Sequence, residues 1–500
     1  MLPARRSASL VLAAGLLAPG LLRAAASPTA ARPPAATYEG AACPMRLYEG
    51  LKMDVTCGYL TVPENRTDPR SGTIRIAVAY LHSGSHDVLD DPIVELDGGP
   101  GQASLWSYAW WAGSPLLEHR DFIVFDQRGT GFSGPNLDCP EMVEPVWQIL
   151  ATNESPAVEG DLVRAAQEEC RDRLEASGVD LDGYDTIEIA ADVADLRVAL
   201  GVDEWNLLGE SYGSAVAQAV LRDHPEGVRS VVLDAVMPPD YALSGVDRGE
   251  DFLRSIELLA DGCAAKPGCR ARYGDVGALI ADAAAVLDAN PHEATIPDLD
   301  TGADRIVSFD GGDWYAAVFL AMYSPSTLTR IPSVAQSVID GDLSVLDSYA
   351  SILHDAVLRW PEAMTVSVNC ADHQAITDPS ALKPFLGGHP ELAMLLQLDL
   401  YEVVCPAWGV ASIPAPFNEL LTDEEVDVPV LVMGGAFDPI TPRDAPRRVA
   451  DALGVDAVVM PNGSHMVSYT LCGRTIRDAF IDDPTVAPDL GCIADMPPLP

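Results

Sequence analysis

Leu207-Leu208-Gly209-Glu210-Ser211-Tyr212-Gly213-Ser214 is the stretch on which the reading of this 500-residue chain turns. Two apolar residues end a strand, Gly-x-Ser-x-Gly makes a turn, and Ala215, Val216, Ala219 and Val220 open a helix with small and apolar positions. A strand that passes straight into a helix through this pentapeptide forces Ser211 into a strained backbone conformation. Gly209 and Gly213 lack the Cβ atoms that would collide where strand and helix cross. The serine hydroxyl then stands exposed at the carboxyl end of a sheet, with a helix N-terminus behind it. Gly- and Ser-rich turns also occur without chemistry, so the flanking pattern and the partners of Ser211 decide.

The flanks repeat one theme. Val55–Pro63 reads as a first strand, and Ile74, Ile76, Val78 and Tyr80 alternate with Arg75, Ala77 and Ala79 as a half-buried second. Ile93–Leu96 runs into Asp97-Gly98-Gly99-Pro100-Gly101, and Asp121–Phe125 runs into Asp126-Gln127-Arg128-Gly129-Thr130-Gly131. Ile189, Val193, Leu196 and Leu200 have helical spacing, and Val228–Leu233 is a further strand. Strands alternating with helices predict an α/β fold with a mostly parallel central sheet covered on both faces.

From Pro238 to about Cys405 the apolar spacing turns helical (Phe252, Ile256, Leu259; Tyr315, Val318, Phe319, Met322), and Val428–Gly434 then resumes the sheet. A helix from Pro442 and a last strand at Ala457–Met460 follow. The expected organisation is a catalytic core over 41–239 and 406–500, with an inserted, mainly helical cap over 240–405. Such a cap would cover the carboxyl ends of the strands, where α/β sheets hold their ligands.

A serine hydroxyl needs a histidine to take its proton, and the histidine needs a carboxylate to hold its tautomer. Asp438 lies in Gly434-Gly435-Ala436-Phe437-Asp438-Pro439, after one strand, and His465 lies in Pro461-Asn462-Gly463-Ser464-His465, after the next. Serine, aspartate, histidine in that order, each after a strand, predicts a triad of Ser211, Asp438 and His465. His224 ends the elbow helix and points away; His373, after Cys370-Ala371-Asp372, is the competing base. The oxyanion needs backbone donors, expected from the N–H of Tyr212 and from Gly99 in the Gly98-Gly99 loop.

The formal net charge is −43, with lysine only at positions 52, 266 and 383. So acidic a chain repels nucleic acid and anionic membrane surfaces. Arg5 and Arg6, an apolar run from Ala8 to Leu22 and Ala24-Ala25-Ala26 have the three parts of a cleavable signal peptide over 1–26, followed by an Ala- and Pro-rich leader over 27–40. Export, secreted or periplasmic, is therefore expected, with no membrane span once the signal is removed. The ten cysteines are an even number in a chain that leaves the cytosol, so disulfides are permitted. Many connectivities exist; local spacing suggests neighbours in order, Cys43–Cys57, Cys139–Cys170, Cys263–Cys269, Cys370–Cys405 and Cys472–Cys492. Neither Cys-x-x-Cys nor His-Glu-x-x-His is present, and neither a metal nor an organic cofactor is expected.

Gly-Gly-Pro-Gly at 98–101, Asp-Gln-Arg-Gly-Thr-Gly at 126–131 and Gly-Glu-Ser-Tyr-Gly-Ser at 209–214 resemble the prolyl and tripeptidyl aminopeptidases, α/β-hydrolase serine peptidases that cut close to a free N-terminus. The Cys-Gly-x-Leu-x-Val-Pro start, Val368–Asp372 and the cysteine-bearing tail resemble the secreted tripeptidyl branch. The resemblance runs from about Cys43 to Cys492 and implies peptide substrates with a free N-terminus, in a protein expected to be a monomer. By it, Ser211, Asp438 and His465 match the triad, and Gly99 and Tyr212 the oxyanion donors. Prolyl aminopeptidases commonly carry His before Gly-Gly-Pro-Gly; Asp97 stands here, which argues against strict prolyl specificity. Partly from the resemblance and partly from its placement beside Cys370, Asp372 is expected to bind the substrate ammonium. The expected function is removal of an N-terminal proline or short tripeptide unit through an acyl-enzyme. The alternatives are a secreted carboxylesterase with the same triad and a catalytically dead binding protein; the second predicts loss of a triad member, and all three are kept.

Overall fold

The computed structural model describes residues 35–499, except 52, 153, 242–244, 299–300, 359–361, 398–400, 414 and 497–498. The expected signal peptide lies outside the described residues. Nine strands form one sheet: β1 (Thr37–Ala41), β2 (Val55–Pro63), β3 (Thr73–Leu81), β4 (Ile93–Leu96), β5 (Phe122–Phe125), β6 (Trp205–Glu210), β7 (Val228–Asp234), β10 (Val430–Gly435) and β11 (Ala457–Met460). A separate hairpin pairs β8 (His292–Pro297) with β9 (Asp304–Phe309). The order in the large sheet is β1-β2-β3-β5-β4-β6-β7-β10-β11, so the nucleophile strand β6 sits inside it.

From β5 to β11 every neighbouring pair is parallel, as a chain of strand–helix units requires. The other edge is antiparallel: β1 with β2, β2 with β3 and β3 with β5. The connection from Pro63 to Thr73 is too short for a crossover helix, so β2 and β3 can only fold back on each other. Residues 37–40, expected within the leader, belong instead to the edge strand β1, paired from Thr37↔Thr61 to Ala41↔Cys57. Its side chains are mostly exposed, so it has no apolar pattern to announce it; backbone pairing supplies its order.

Alternation in β6 divides the core. Leu207 packs with the elbow helix Tyr212–Asp223 and the helix Thr186–Leu200 on one face, and Leu208 joins the helix Leu471–Asp482 on the other. Both leucines are fully buried, each worth about 1.5–3 kcal/mol of transfer free energy. Among the described residues between β7 and β10 the regular elements are helices apart from the β8–β9 hairpin, which the sequence reading did not anticipate. Its signal was present as period-two burial, with Ala294, Ile296, Val307 and Phe309 inward. Five disulfides join Cys43–Cys57, Cys139–Cys170, Cys263–Cys269, Cys370–Cys405 and Cys472–Cys492, the pairing suggested by spacing. Among the described residues no helix is long and apolar enough to cross a membrane.

Candidate active site

Parallel strands point their carboxyl ends one way, so the loops after β4, β6, β7, β10 and β11 open at one edge of the sheet. Ser211 stands between β6 and the elbow helix at φ 55°, ψ −125°, a conformation that L-residues rarely adopt. A Cβ on Gly209 would lie 2.8 Å from the Gly213 carbonyl oxygen, and one on Gly213 would overlap the Leu96 carbonyl. Glycine at both positions is therefore what lets the turn close.

His465 and Asp438 meet across two loops. His465 Nδ1 lies 2.8 Å from Asp438 Oδ2, so Nδ1 carries the proton toward the carboxylate and Nε2 is the basic nitrogen. Asp438 is itself fixed by the Ile440 and Thr441 N–H groups, each 3.0 Å from Oδ1, and by the Thr441 hydroxyl, 2.6 Å from Oδ2. Burial alone would push Asp438 up and His465 down. The mutual charge and hydrogen bond reverse both, holding Asp438 below the ordinary carboxylate value and His465 above the ordinary imidazole value. This is the pairing of a base with the group that orients it.

The loop after β4 is pinned from beneath. Asp97 Oδ1 accepts the Gly98 N–H at 2.7 Å and Oδ2 accepts Gln102 Nε2 at 3.1 Å, while Gln127 Nε2 donates to the Asp97 carbonyl at 3.2 Å. Asp126 accepts Leu105 N–H at 2.8 Å and Phe132 N–H at 2.7 Å, tying the two loops together. The N–H groups of Gly99 and Tyr212 have no acceptor among the described residues. The buried guanidinium of Arg128, in the same loop as Gln127, holds Asp192 through Nε at 2.8 Å and Nη2 at 2.7 Å and so ties this edge to the helix Thr186–Leu200.

Asp372, expected to bind a substrate ammonium, has its carboxyl engaged within the fold. Its side chain is buried, and its carboxyl accepts from the hydroxyl of Thr186 and, at 3.4 Å, from the Thr186 N–H. Thr186 Oγ1 is also 2.6 Å from the Tyr212 hydroxyl, so Asp372 supports the elbow helix from below. Burial and nearby Asp185 push its pKa well up, which favours the neutral form over an anion. His373, the competing base, is buried with its pKa pushed down to about 4 by burial.

Three residues near the site escaped the sequence reading. Tyr323, between the helix Gly311–Ala321 and Pro325, meets the His465 ring edge-to-face at 4.9 Å between centroids. Glu210 and Asp234, at the ends of β6 and β7, receive hydrogen bonds from the loop after His465. Glu210 is inside the quoted motif and Asp234 closes an apolar strand, but nothing in one sequence announces what they would touch.

The model of the alpha/beta hydrolase fold family matches residues 91–470, from the strand before the Gly98-Gly99 loop through the loop that carries His465. The chain is an α/β hydrolase. Serine protease Hip1 of Mycobacterium tuberculosis is 23% identical to this hydrolase over 454 residues, covering 85% of this chain and 84% of that protein. A tripeptidyl aminopeptidase of Streptomyces lividans is 31% identical over 202 residues, 38% of this chain and 36% of that one. A proline iminopeptidase of Xylella fastidiosa is 39% identical over 150 residues, 29% of this chain and 32% of that one. The hydrolase is thus a distant relative of serine peptidases.

Proposed function

We propose that this hydrolase is an exported serine peptidase that cleaves close to the free N-terminus of peptides, with Ser211 as nucleophile, His465 as base and Asp438 as its orienting carboxylate. The observation that carries the reading is the strained Ser211 at the sheet edge that also bears the His465–Asp438 pair, with the Gly99 and Tyr212 N–H groups without an acceptor among the described residues. His465 Nε2 takes the Ser211 proton as Oγ attacks the scissile carbonyl. The Gly99 and Tyr212 N–H groups receive the developing oxyanion, where each well-placed donor is worth about 2.7–4 kcal/mol. The amine leaves with the proton from His465, and water repeats the sequence on the acyl-enzyme.

The peptidase relatives support peptide substrates, and the five disulfides support export. The helical segment between β7 and β10 acts as a cap in this reading. Thr365 Oγ1 bonds the Pro100 carbonyl at 2.6 Å and Tyr323 abuts His465, so cap residues border both the oxyanion loop and the base. A carboxylesterase with the same triad is the second reading, favoured by the burial of Asp372, which withdraws the carboxylate expected to hold an ammonium.

One experiment separates these. Wild type and Ser211→Ala are treated with a fluorophosphonate probe, then assayed on Pro-, Ala-Ala-Pro- and N-acetyl-Ala-Ala-Pro chromogenic amides and a butyrate ester. The proposal expects labelling at Ser211, loss of about 10⁴-fold or more in kcat on Ser211→Ala, and preference for a free amine. Equal labelling of Ser211→Ala overturns the nucleophile. Equal rates on acetylated and free peptides overturn the N-terminal specificity, and turnover of the ester alone establishes the second reading.

A further inference from the structure

Among the described residues only three that are not glycine have positive φ: Ser211 at 55°, Ala235 at 49° and Met466 at 53°. They are distant in sequence and adjacent in function. Ser211 follows Glu210, Ala235 follows Asp234, and Met466 follows His465. Such conformations are costly and persist only where the surroundings over-determine them.

The hydrogen bonds show what over-determines them. Asp234 works through both its backbone and its side chain. Its carbonyl accepts the Ser211 N–H at 2.9 Å, while Oδ1 accepts the N–H groups of Ala235 at 2.7 Å and Val467 at 3.2 Å, and Oδ2 accepts that of Ser468 at 2.6 Å. Glu210 meets the same loop from the neighbouring strand: Ser468 Oγ is 2.9 Å from Oε1 and the Tyr469 hydroxyl 2.6 Å from Oε2. Asp234 and Glu210 are both buried, at the ends of adjacent parallel strands paired through Glu210↔Asp234. The nucleophile turn is therefore fastened to the Asp234 main-chain carbonyl, and the first residues after the base to the Asp234 and Glu210 carboxyl groups.

We propose that Asp234 and Glu210 are positioning residues that hold the His465 loop in register with Ser211, a second anchor for the base beside Asp438. The proposal rests on the reading of Ser211 as nucleophile and His465 as base. Asp438 fixes the imidazole through Nδ1; without a second anchor the strained Met466 could relax and carry the ring away from the serine. Neither carboxyl group touches substrate in this role. The two act on one loop, so their effects should not add.

The test follows fluorophosphonate inactivation of the full-length protein, separating the maximal rate kinact from the half-saturating concentration KI, with a thermal melt for each variant. In Asp234→Asn an NH₂ group faces backbone donors, and kinact should fall about 100-fold with KI within about twofold, the scale of a base displaced by about 1 Å. Glu210→Met should lower kinact about 10-fold, whereas Glu210→Gln, which still offers an acceptor and a donor, should stay within about threefold of wild type. Asp234→Asn combined with Glu210→Met should lose less than the product of the two. Should Asp234→Asn fail to show a cooperative melt, Ser468→Ala/Tyr469→Phe removes both hydroxyls that reach Glu210, with an expected fall in kinact of about 10-fold. A folded Asp234→Asn, or that double variant in its place, inactivated at the wild-type rate overturns the proposal. So does a rise in KI with kinact unchanged. Failure of the probe to label wild-type Ser211 overturns the underlying assignment instead, so the two failures are distinguishable.

Discussion

Gly98 packs directly against Ser211: a Cβ built on the glycine would lie 3.1 Å from the serine hydroxyl oxygen. The contact puts a stretch of bare backbone where a reacting carbonyl must come, beside the N–H of Gly99. A methyl group there would lie 2.5 Å from Ser211 Cβ and 2.8 Å from the Glu210 carbonyl oxygen, so the nucleophile turn or the loop must shift to admit it. Gly98→Ala is expected to melt below wild type, as the loop and the turn are pushed apart, and to lose about 10²–10³-fold in kcat, the scale of a disabled oxyanion donor. Steady-state kinetics beside a thermal melt checks this, and undiminished kcat would move the oxyanion site away from this loop.

The pH profile follows from the His465–Asp438 pair. Burial lowers the histidine's pKa, but the charge and hydrogen bond of Asp438, helped by Asp234, carry it above the ordinary value. The base must be neutral to accept the Ser211 proton, so kcat/KM should fall as pH drops through a single ionisation above about 6.5. Asp438→Asn removes the raising influence and should move that limb to lower pH while cutting the rate severely. An acid limb of the wild type below about pH 6, measured from kcat/KM over pH 4–9, would contradict the arrangement.

Asp372 should behave as a structural residue. Its carboxyl serves the Thr186 hydroxyl and N–H, and Thr186 in turn meets the Tyr212 hydroxyl. Asp372→Leu leaves those buried groups short of a partner, at a cost of about 1–3 kcal/mol. A lowered melting temperature is expected, with kcat/KM reduced by the same factor on free-amine and N-acetylated substrates. A loss confined to free amines would restore the ammonium-binding role.

Glu210 should make stability depend on pH. Burial first, then the charges of Asp234 and Asp97, push its pKa up to about 8 from an ordinary 4.5. Between those values the folded chain keeps a proton that the unfolded chain has released, so stability falls as pH rises through the window. In Glu210→Gln that contribution is gone. The wild type should lose more melting temperature than Glu210→Gln between pH 5 and pH 8, and parallel curves in calorimetry would show that Glu210 does not titrate there.

The parts of the site that were legible in the sequence were those whose chemistry and local backbone coincide. Gly209, Ser211 and Gly213 announce a tight turn because only glycine fits where strand and helix cross. Asp438 and His465 were found because each follows an apolar strand run, and parallel strands bring their ends together. Asp372 was legible as a carboxylate but not as a buried one. Its partner Thr186 is 186 residues away in sequence, a distance over which no local pattern informs. Asp234 and Glu210 were hidden for the same reason, since a carboxylate at a strand end reads as solvent-facing until the loop that covers it is known. The strand Thr37–Ala41 lacked an apolar face, and the β8–β9 hairpin was masked by the helices around it.

The placement of His465 after β11 has a consequence for how the chain comes to life. In the proposed reading Ser211 and the Gly99 and Tyr212 donors are made in the first half of the polypeptide, and the base His465 comes only after β11, at the far edge of the sheet. A growing chain that has not reached His465 holds Ser211 with no base to activate it. In that reading the competence to cut arrives last, with the segment that brings His465.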